Sequence, residues 1–232
     1  TDGIFQNQEE VDAFYEMYYY TANGGVKPNN ILPAPGETGL NRLRPGARKL
    51  VDLNGDGAIT TEDLYYAGDA APRLAFSIKA GLEWKGIDFS AFFQGIGKQV
   101  TLRTGSIYAP FVTNYTMQNS TFMGKTWTPE NPDAQYTILS RDNGFNRFNY
   151  ENKDISVQNN RYIRLKSLVI GYSLPKQWIA KAGLSKLRFY FSGDDLWEWT
   201  KIKDGYDPEH GEGGNNTFPF SRLITFGVDL TF

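Results

Sequence analysis

A period of two runs through the second half of the chain and limits what it can fold into. Phe76, Ile78, Ala80, Leu82 and Trp84 alternate with Ser77, Lys79, Gly81 and Glu83, and on an extended backbone residues two apart share a face. The pattern resumes after Lys85-Gly86: Ile87, Phe89, Ala91 and Phe93 alternate with Asp88, Ser90, Phe92 and Gln94. Trp84-Lys85-Gly86 therefore reads as a tight hairpin. Arg161 to Ser173 is strand-like with a looser alternation and stops at Pro175, which has no amide to give a ladder. Leu187, Phe189 and Phe191 alternate with Arg188, Tyr190 and Ser192, and Phe226, Val228, Leu230 and Phe232 with Thr225, Gly227, Asp229 and Thr231. The reading yields five strands.

Alternation alone fits a soluble sandwich as well as a membrane barrel, since each has one buried and one polar face. The connections separate the two. In order they are short (Lys85 and Gly86), very long (about 106–160), short (Leu174 to Ser185, with a helical turn over Gln177 to Ala182) and long (about 197–221). Long structureless loops are unusual in compact soluble domains, whereas outer-membrane barrels alternate short periplasmic turns with long extracellular loops. The fold expected is all-β, an antiparallel transmembrane β-barrel segment whose long extracellular loops carry short helices. Five strands cannot close, because the smallest such barrels need about 8 and an open edge in lipid leaves backbone groups unpaired. The division expected is an extracellular region over 1–72 and barrel strands over 73–232. No run of apolar residues is long enough for a membrane helix, the best being Leu168 to Tyr172. Thr1 to Phe5 show neither a Met start nor a signal-peptide pattern, so such a segment was removed or the chain starts inside something longer.

The charge balance, 24 basic against 26 acidic residues, lacks the basic field of a nucleic-acid binder. Arg161, Tyr162, Arg164 and Lys166 mix cations with aromatics, as a polar barrel wall also does. With no Cys, thiol catalysis, disulfides and Cys-ligated zinc are excluded. The single His, His210, lies in the Gly-rich stretch Asp207 to Gly214 and reads as a solvated loop residue. Asp194-Asp195 does not read as a hydrolytic pair, because strand neighbours point to opposite faces. No enzyme is expected.

Asp52 to Asp63 fits the twelve-residue loop that wraps Ca²⁺. Asp52, Asn54 and Asp56 supply oxygens at positions 1, 3 and 5, Gly57 makes the sharp turn, the Ala58 carbonyl fills position 7, Thr60 acts at 9 and Asp63 closes at 12. It departs from a sensor EF-hand in having Asp at the last position and no entering helix, only an exiting one over about Glu62 to Ala67. A structural Ca²⁺ clamp is expected. Upstream, Asn7 caps a helix to about Tyr20, with Glu10 reaching back and a stripe of Val11, Phe14 and Met17 or Tyr18 packed on the barrel rim. Ligand contacts, if any, would come from the loop aromatics Tyr108, Tyr115, Trp127, Tyr136, Trp197, Trp199 and Tyr206, whose rings can stack on sugars or cover peptide side chains. The same rings could equally form the aromatic girdle or pack loop on loop.

Gly3 to Val11, Val51 to Gly57, Trp127 to Pro132, Arg161 to Pro175 and the closing Gly227 to Phe232 occur in this order. As a set they resemble the C-terminal part of SusC/RagA-type TonB-linked outer-membrane transporters. The resemblance implies an about 22-stranded barrel closed by a plug in the bacterial outer membrane. It also implies import of glycans or oligopeptides with a SusD-like surface lipoprotein, driven through TonB. Plug, TonB-contacting segment and most strands are not in this chain, so its partners would include the remaining barrel and plug, the lipoprotein, TonB through the missing part, and lipid. Phe226, Val228, Leu230 and the terminal aromatic Phe232 resemble the signal read by the barrel-assembly machinery. The alternative is a soluble, calcium-stabilised β-sandwich module that binds carbohydrate.

Overall fold

The computed structural model describes residues 1–35, 42–103, 120–151, 153–202, 207–210 and 221–232. The chain divides into two compact units, one of Thr1–Ala67 with Leu102–Val157, the other of Gly68–Thr101 with Gln158–Phe232.

The alternating segments form one five-stranded sheet in the second unit: β1 (Leu74–Trp84), β2 (Ile87–Lys98), β3 (Tyr162–Ser173), β4 (Lys186–Thr200) and β5 (Leu223–Thr231). Each strand pairs antiparallel with the next in the sequence, an up-and-down meander. Lys85 and Gly86 both have positive φ (48° and 89°), the two-residue turn whose twist matches the strands it joins. Between β3 and β4 the chain makes a short helix, Lys176–Ile179, and a 3₁₀ turn, Ala180–Ala182, where the sequence predicts a helical turn.

Register fixes the two faces. Phe89, Ile170, Phe191 and Phe226 stand in one row across β2 to β5, and Ile87, Tyr172, Phe189 and Val228 in the next. These side chains are exposed or half-buried, with Phe226 at 79%. On the opposite face Arg164 is only 2% exposed. The sheet is thus turned inside out relative to a soluble protein, with its apolar side outward and its charges inward. A sandwich would have covered the apolar face with a second sheet. No helix among the described residues is long and apolar enough to cross a membrane.

Two details of the strands differ from the sequence reading. β4 runs to Thr200, so Trp197 and Trp199 are strand residues, opposite Leu165 and Ile163 of β3. Between those pairs and Ser167–Asp194 the register shifts, with Asp195 in the left-handed region (φ 52°). The bulge brings Asp195 to Lys166, 2.9 Å away. The bulge interrupts the period of two at these residues, so adjacency in sequence does not fix which face Asp195 takes.

The first unit has its own core. Helix α1 (Gln8–Tyr18) starts at Asn7, whose side chain accepts from the Glu10 amide. Its buried stripe is Val11, Tyr15 and Tyr19, flanked by Phe14 and Tyr18, while Met17 points to solvent. It packs with Phe5, Leu32, Leu43, Ala47, Ile59 and Phe145, a core internal to this unit, where the sequence reading places the stripe on a barrel rim. Burial pushes the Tyr15 phenol up to about 12; its hydroxyl donates to the Pro33 carbonyl and accepts from the Leu43 amide. A hydrogen bond from Lys49 holds the Glu10 carboxyl below its ordinary range.

Phe145 comes from a second helix, α2 (Asn143–Tyr150), inside the stretch that reads from sequence as one long loop. Gly and Asn are poor helix formers. Here the buried side-chain amides support the helix: Asn149 Oδ1 accepts from the Arg48 backbone amide (2.7 Å), and Asn146 Nδ2 donates to the Ser140 carbonyl (2.8 Å). Asp142 caps the start by accepting from Gly144. A smaller cluster, Phe122, Tyr136 and Tyr150, packs in the same unit.

Candidate functional site

The loop Asp52 to Asp63 is closed by its own carboxylates. Asp52 accepts from the amides of Gly55 and Gly57 (2.7 and 2.8 Å), Asp56 from Ala58 (2.8 Å), and the Asn54 side-chain oxygen from the Asp56 amide (2.9 Å). Asp63 ties the ends together, accepting from Leu53 (2.7 Å) and Thr60 (2.8 Å), while Thr60 Oγ1 accepts from Glu62. Only a 3₁₀ turn, Thr61–Asp63, follows, not the exiting helix to Ala67. A Thr60–Asp63 capping box starts the turn, but Leu64 is already extended, so the turn does not propagate into a helix. Ile59 anchors the loop in the core, its carbonyl accepting from Ile31. The Lys27 ammonium donates to the carbonyls of Gly57 and Met17.

Carboxylate, amide and backbone oxygens are the hard donors that calcium takes. Each carboxylate oxygen used by an amide keeps a second lone pair, so these hydrogen bonds and a bound cation are compatible. Among the described residues, however, no three Asp, Glu, His or Cys side chains converge as a metal-holding group.

The polar face of the sheet carries a second constellation, which sequence spacing did not reveal. Arg164 on β3 hydrogen-bonds Glu198 of β4 through Nε (3.0 Å) and Nη2, and forms ion pairs with Asp207 through Nη2 (2.8 Å) and Glu209 through Nη1 (3.3 Å). Lys166 bonds Asp195 (2.9 Å) and Glu209 (3.0 Å). His210 Nδ1 stands 3.8 Å from Asp207, and its side chain is only 15% exposed, where the sequence reading has it solvated. Asn160 adds a bond to the Pro208 carbonyl. The short segment 207–210 is thereby fastened to β3. A sequence signal existed in Arg164 and Lys166 two apart on one strand, but their acidic partners lie 29 or more positions away. At the other end of the strands, Arg188 of β4 reaches across β3 to Asp88 of β2 (2.6 and 2.8 Å) and to Asp229 of β5 (2.9 Å). It passes over Gly171, where a Cβ would come within 2.5 Å of Asp88 Oδ1. These ion pairs fix register and anchor a loop. They present no nucleophile beside a base.

Of the seven aromatics expected from sequence as ligand contacts, four lie among the described residues. Trp127 is 4% exposed, its indole N–H donating to Gln6 (2.9 Å), and Tyr136 packs edge-on against Phe122. Trp197 and Trp199 stand half-exposed on the apolar side of β4. Tyr108, Tyr115 and Tyr206 lie outside the described residues. Phe226, Val228, Leu230 and Phe232 are all exposed at the β5 edge.

Taken with its faces and its connections, the sheet is a segment of an antiparallel transmembrane barrel. Comparison with known proteins agrees. No family model matches the chain. Two TonB-dependent receptors of Formosa agariphila, P26 and P3, are 26% and 27% identical over 99% of it. The structure of the RagAB peptide transporter superposes with a TM-score of 0.51 at 26% identity, covering 68% of this chain and 17% of that one. The chain is thus similar to TonB-dependent receptors and to the RagAB peptide transporter, and it spans 22 to 23% of the length of the curated relatives it matches.

Proposed function

We propose that this chain is part of the barrel wall, with its extracellular loop unit, of a TonB-dependent importer of the bacterial outer membrane. The importer takes up oligopeptides or glycans together with a SusD-like surface lipoprotein. The observation that carries the reading is the inverted sheet, whose apolar rows are exposed while Arg164 and Arg188 are satisfied on the other side. Such a sheet is stable only where the outer face meets hydrocarbon. The RagAB likeness supports peptide cargo and a two-component arrangement. By the usual parity, the turns at Lys85-Gly86 and Leu174 to Ser185 are periplasmic and the long connections extracellular. The complete transporter should fractionate with outer membranes, need detergent for extraction and co-purify with a lipoprotein. Recovery as a monodisperse, folded protein from the aqueous fraction without detergent would overturn the reading.

In the same reading, Ca²⁺ is held by the loop oxygens of Asp52, Asn54, Asp56, Ala58, Thr60 and Asp63, as a static clamp on the extracellular unit. The support is one loop of hard donors anchored to the core by Ile59. A site with Kd near millimolar, in millimolar calcium, adds about 0.4 kcal/mol. A chelator should lower the melting temperature of the wild type, and Asp52→Ala should lose that sensitivity. An unchanged melting curve on chelation sinks the clamp.

A further inference from the structure

The short-turn rim of the sheet carries cations in its turns and acids on its polar face. Lys85, Lys176 and Lys181 lie in the two turns and are all exposed, and no acidic side chain among the described residues pairs with any of them. The acids of the same end, Glu83, Asp88 and Asp229, belong to the polar face: Glu83 stands opposite Asp88 in the register, and Arg188 takes both Asp88 and Asp229. The two turns are neighbours, since the Ser173 amide donates to the Gly86 carbonyl (2.7 Å). Each turn also presents an exposed indole, Trp84 and Trp178, with the Lys85 ammonium 4.8 Å from the Trp84 ring. Indoles of this kind sit at headgroup level.

Running away from this rim, the apolar face holds a groove of about 630 Å³. Ile87, Ile170, Tyr172, Phe189, Phe226 and Val228 line it. Three uncompensated cations, two interfacial indoles and an apolar groove leading from them make a two-part surface, one part for an anion and one for hydrocarbon.

We propose that this rim and groove form a binding site for an anionic phospholipid of the membrane leaflet that meets the short turns. The headgroup phosphate lies among Lys85, Lys176 and Lys181, and one acyl chain lies along the groove. The inference rests on the barrel reading above. Electrostatic attraction of a basic residue to an anionic lipid surface is worth roughly five-fold in affinity per charge, so the three together give a marked headgroup preference.

The test uses the complete transporter in nanodiscs of phosphatidylglycerol mixed with phosphatidylcholine, followed by gentle extraction and quantification of the retained lipid by native mass spectrometry. The wild type should retain phosphatidylglycerol over phosphatidylcholine by about ten-fold or more. The triple variant Lys85→Gln, Lys176→Gln, Lys181→Gln should lose most of that preference while still entering the nanodisc. Val228→Trp, which fills the groove, should reduce retention of both lipids alike. Equal retention of the two lipids by the wild type, or an unchanged preference in the triple variant, overturns the proposal while leaving the barrel intact. Failure of the wild type to enter the nanodisc overturns both, and is distinguished from the first outcome by the absence of any incorporated protein.

Discussion

Replacing Arg164 with Met should destabilise the wall by about 3 to 5 kcal/mol, the usual cost of removing one partner from a buried charge cluster. The guanidinium is 2% exposed and serves Glu198, Asp207 and Glu209 at once. Its loss leaves three carboxylates crowded together, with Lys166 on Glu209 and His210 3.8 Å from Asp207. The segment Asp207 to His210 should come away first, because its internal bonds, the Glu209 amide to Asp207 Oδ1 and the His210 amide to the Asp207 carbonyl, are too few to hold it alone. Hydrogen exchange of the Glu209 and His210 amides in the complete transporter should rise by at least ten-fold, with a lower melting temperature. Arg164→Lys should recover only part of the loss, since an ammonium keeps the charge but cannot fork across partners on three sides. Wild-type exchange in the Met variant would show that the cluster anchors nothing.

The second large effect is expected in the other unit, at Gly46. Its φ is +87°, and an added Cβ would lie 2.5 Å from Ile138 Cβ and 2.7 Å from the Trp127 ring. The residue cannot back away. Its amide donates to the Phe5 carbonyl (2.8 Å), and its own carbonyl accepts from Ile138 (3.0 Å). Gly46→Ala therefore combines left-handed strain with overpacking, about 2 to 5 kcal/mol in total. Gly24 is the control: its φ is +74° with nothing within 4 Å, so Gly24→Ala should cost only the conformational term, about 1 to 2 kcal/mol. Calorimetric melting of the complete protein should separate the two by several degrees. Equal shifts would mean that Ile138 and Trp127 yield to the methyl.

Trp127 shows how far a sequence can mislead about a site. An aromatic between Thr126 and Thr128 in a long polar stretch looks like a loop residue available to a ligand, yet it packs against Gly46, eighty-one positions earlier. Asn146 and Asn149 mislead in the other direction. Their composition argues for a loop, and only the Arg48 amide and the Ser140 carbonyl make a buried helix of them. Asp195 is a third case, since a bulge is set by how two strands fit together and leaves no mark in the period of either.

What the sequence alone determined is the local geometry. A strand's side-chain period comes from its own backbone, so the five strands, their apolar and polar faces, the Lys85-Gly86 turn and the Asn7 cap were legible from residues within a few positions of one another. The hydrogen-bonded turn over Asp52 to Asp63 was legible for the same reason, its side-chain acceptors all lying within those twelve residues. The tertiary structure alone decided which distant segments meet: that 102–157 folds with 1–67, that Arg164 gathers acids from β4 and from 207–209, and that Arg188 bridges Asp88 and Asp229 across three strand pairings. Those contacts depend on chain closure over tens of residues and on complementary packing. Neither has a period that a sequence can display.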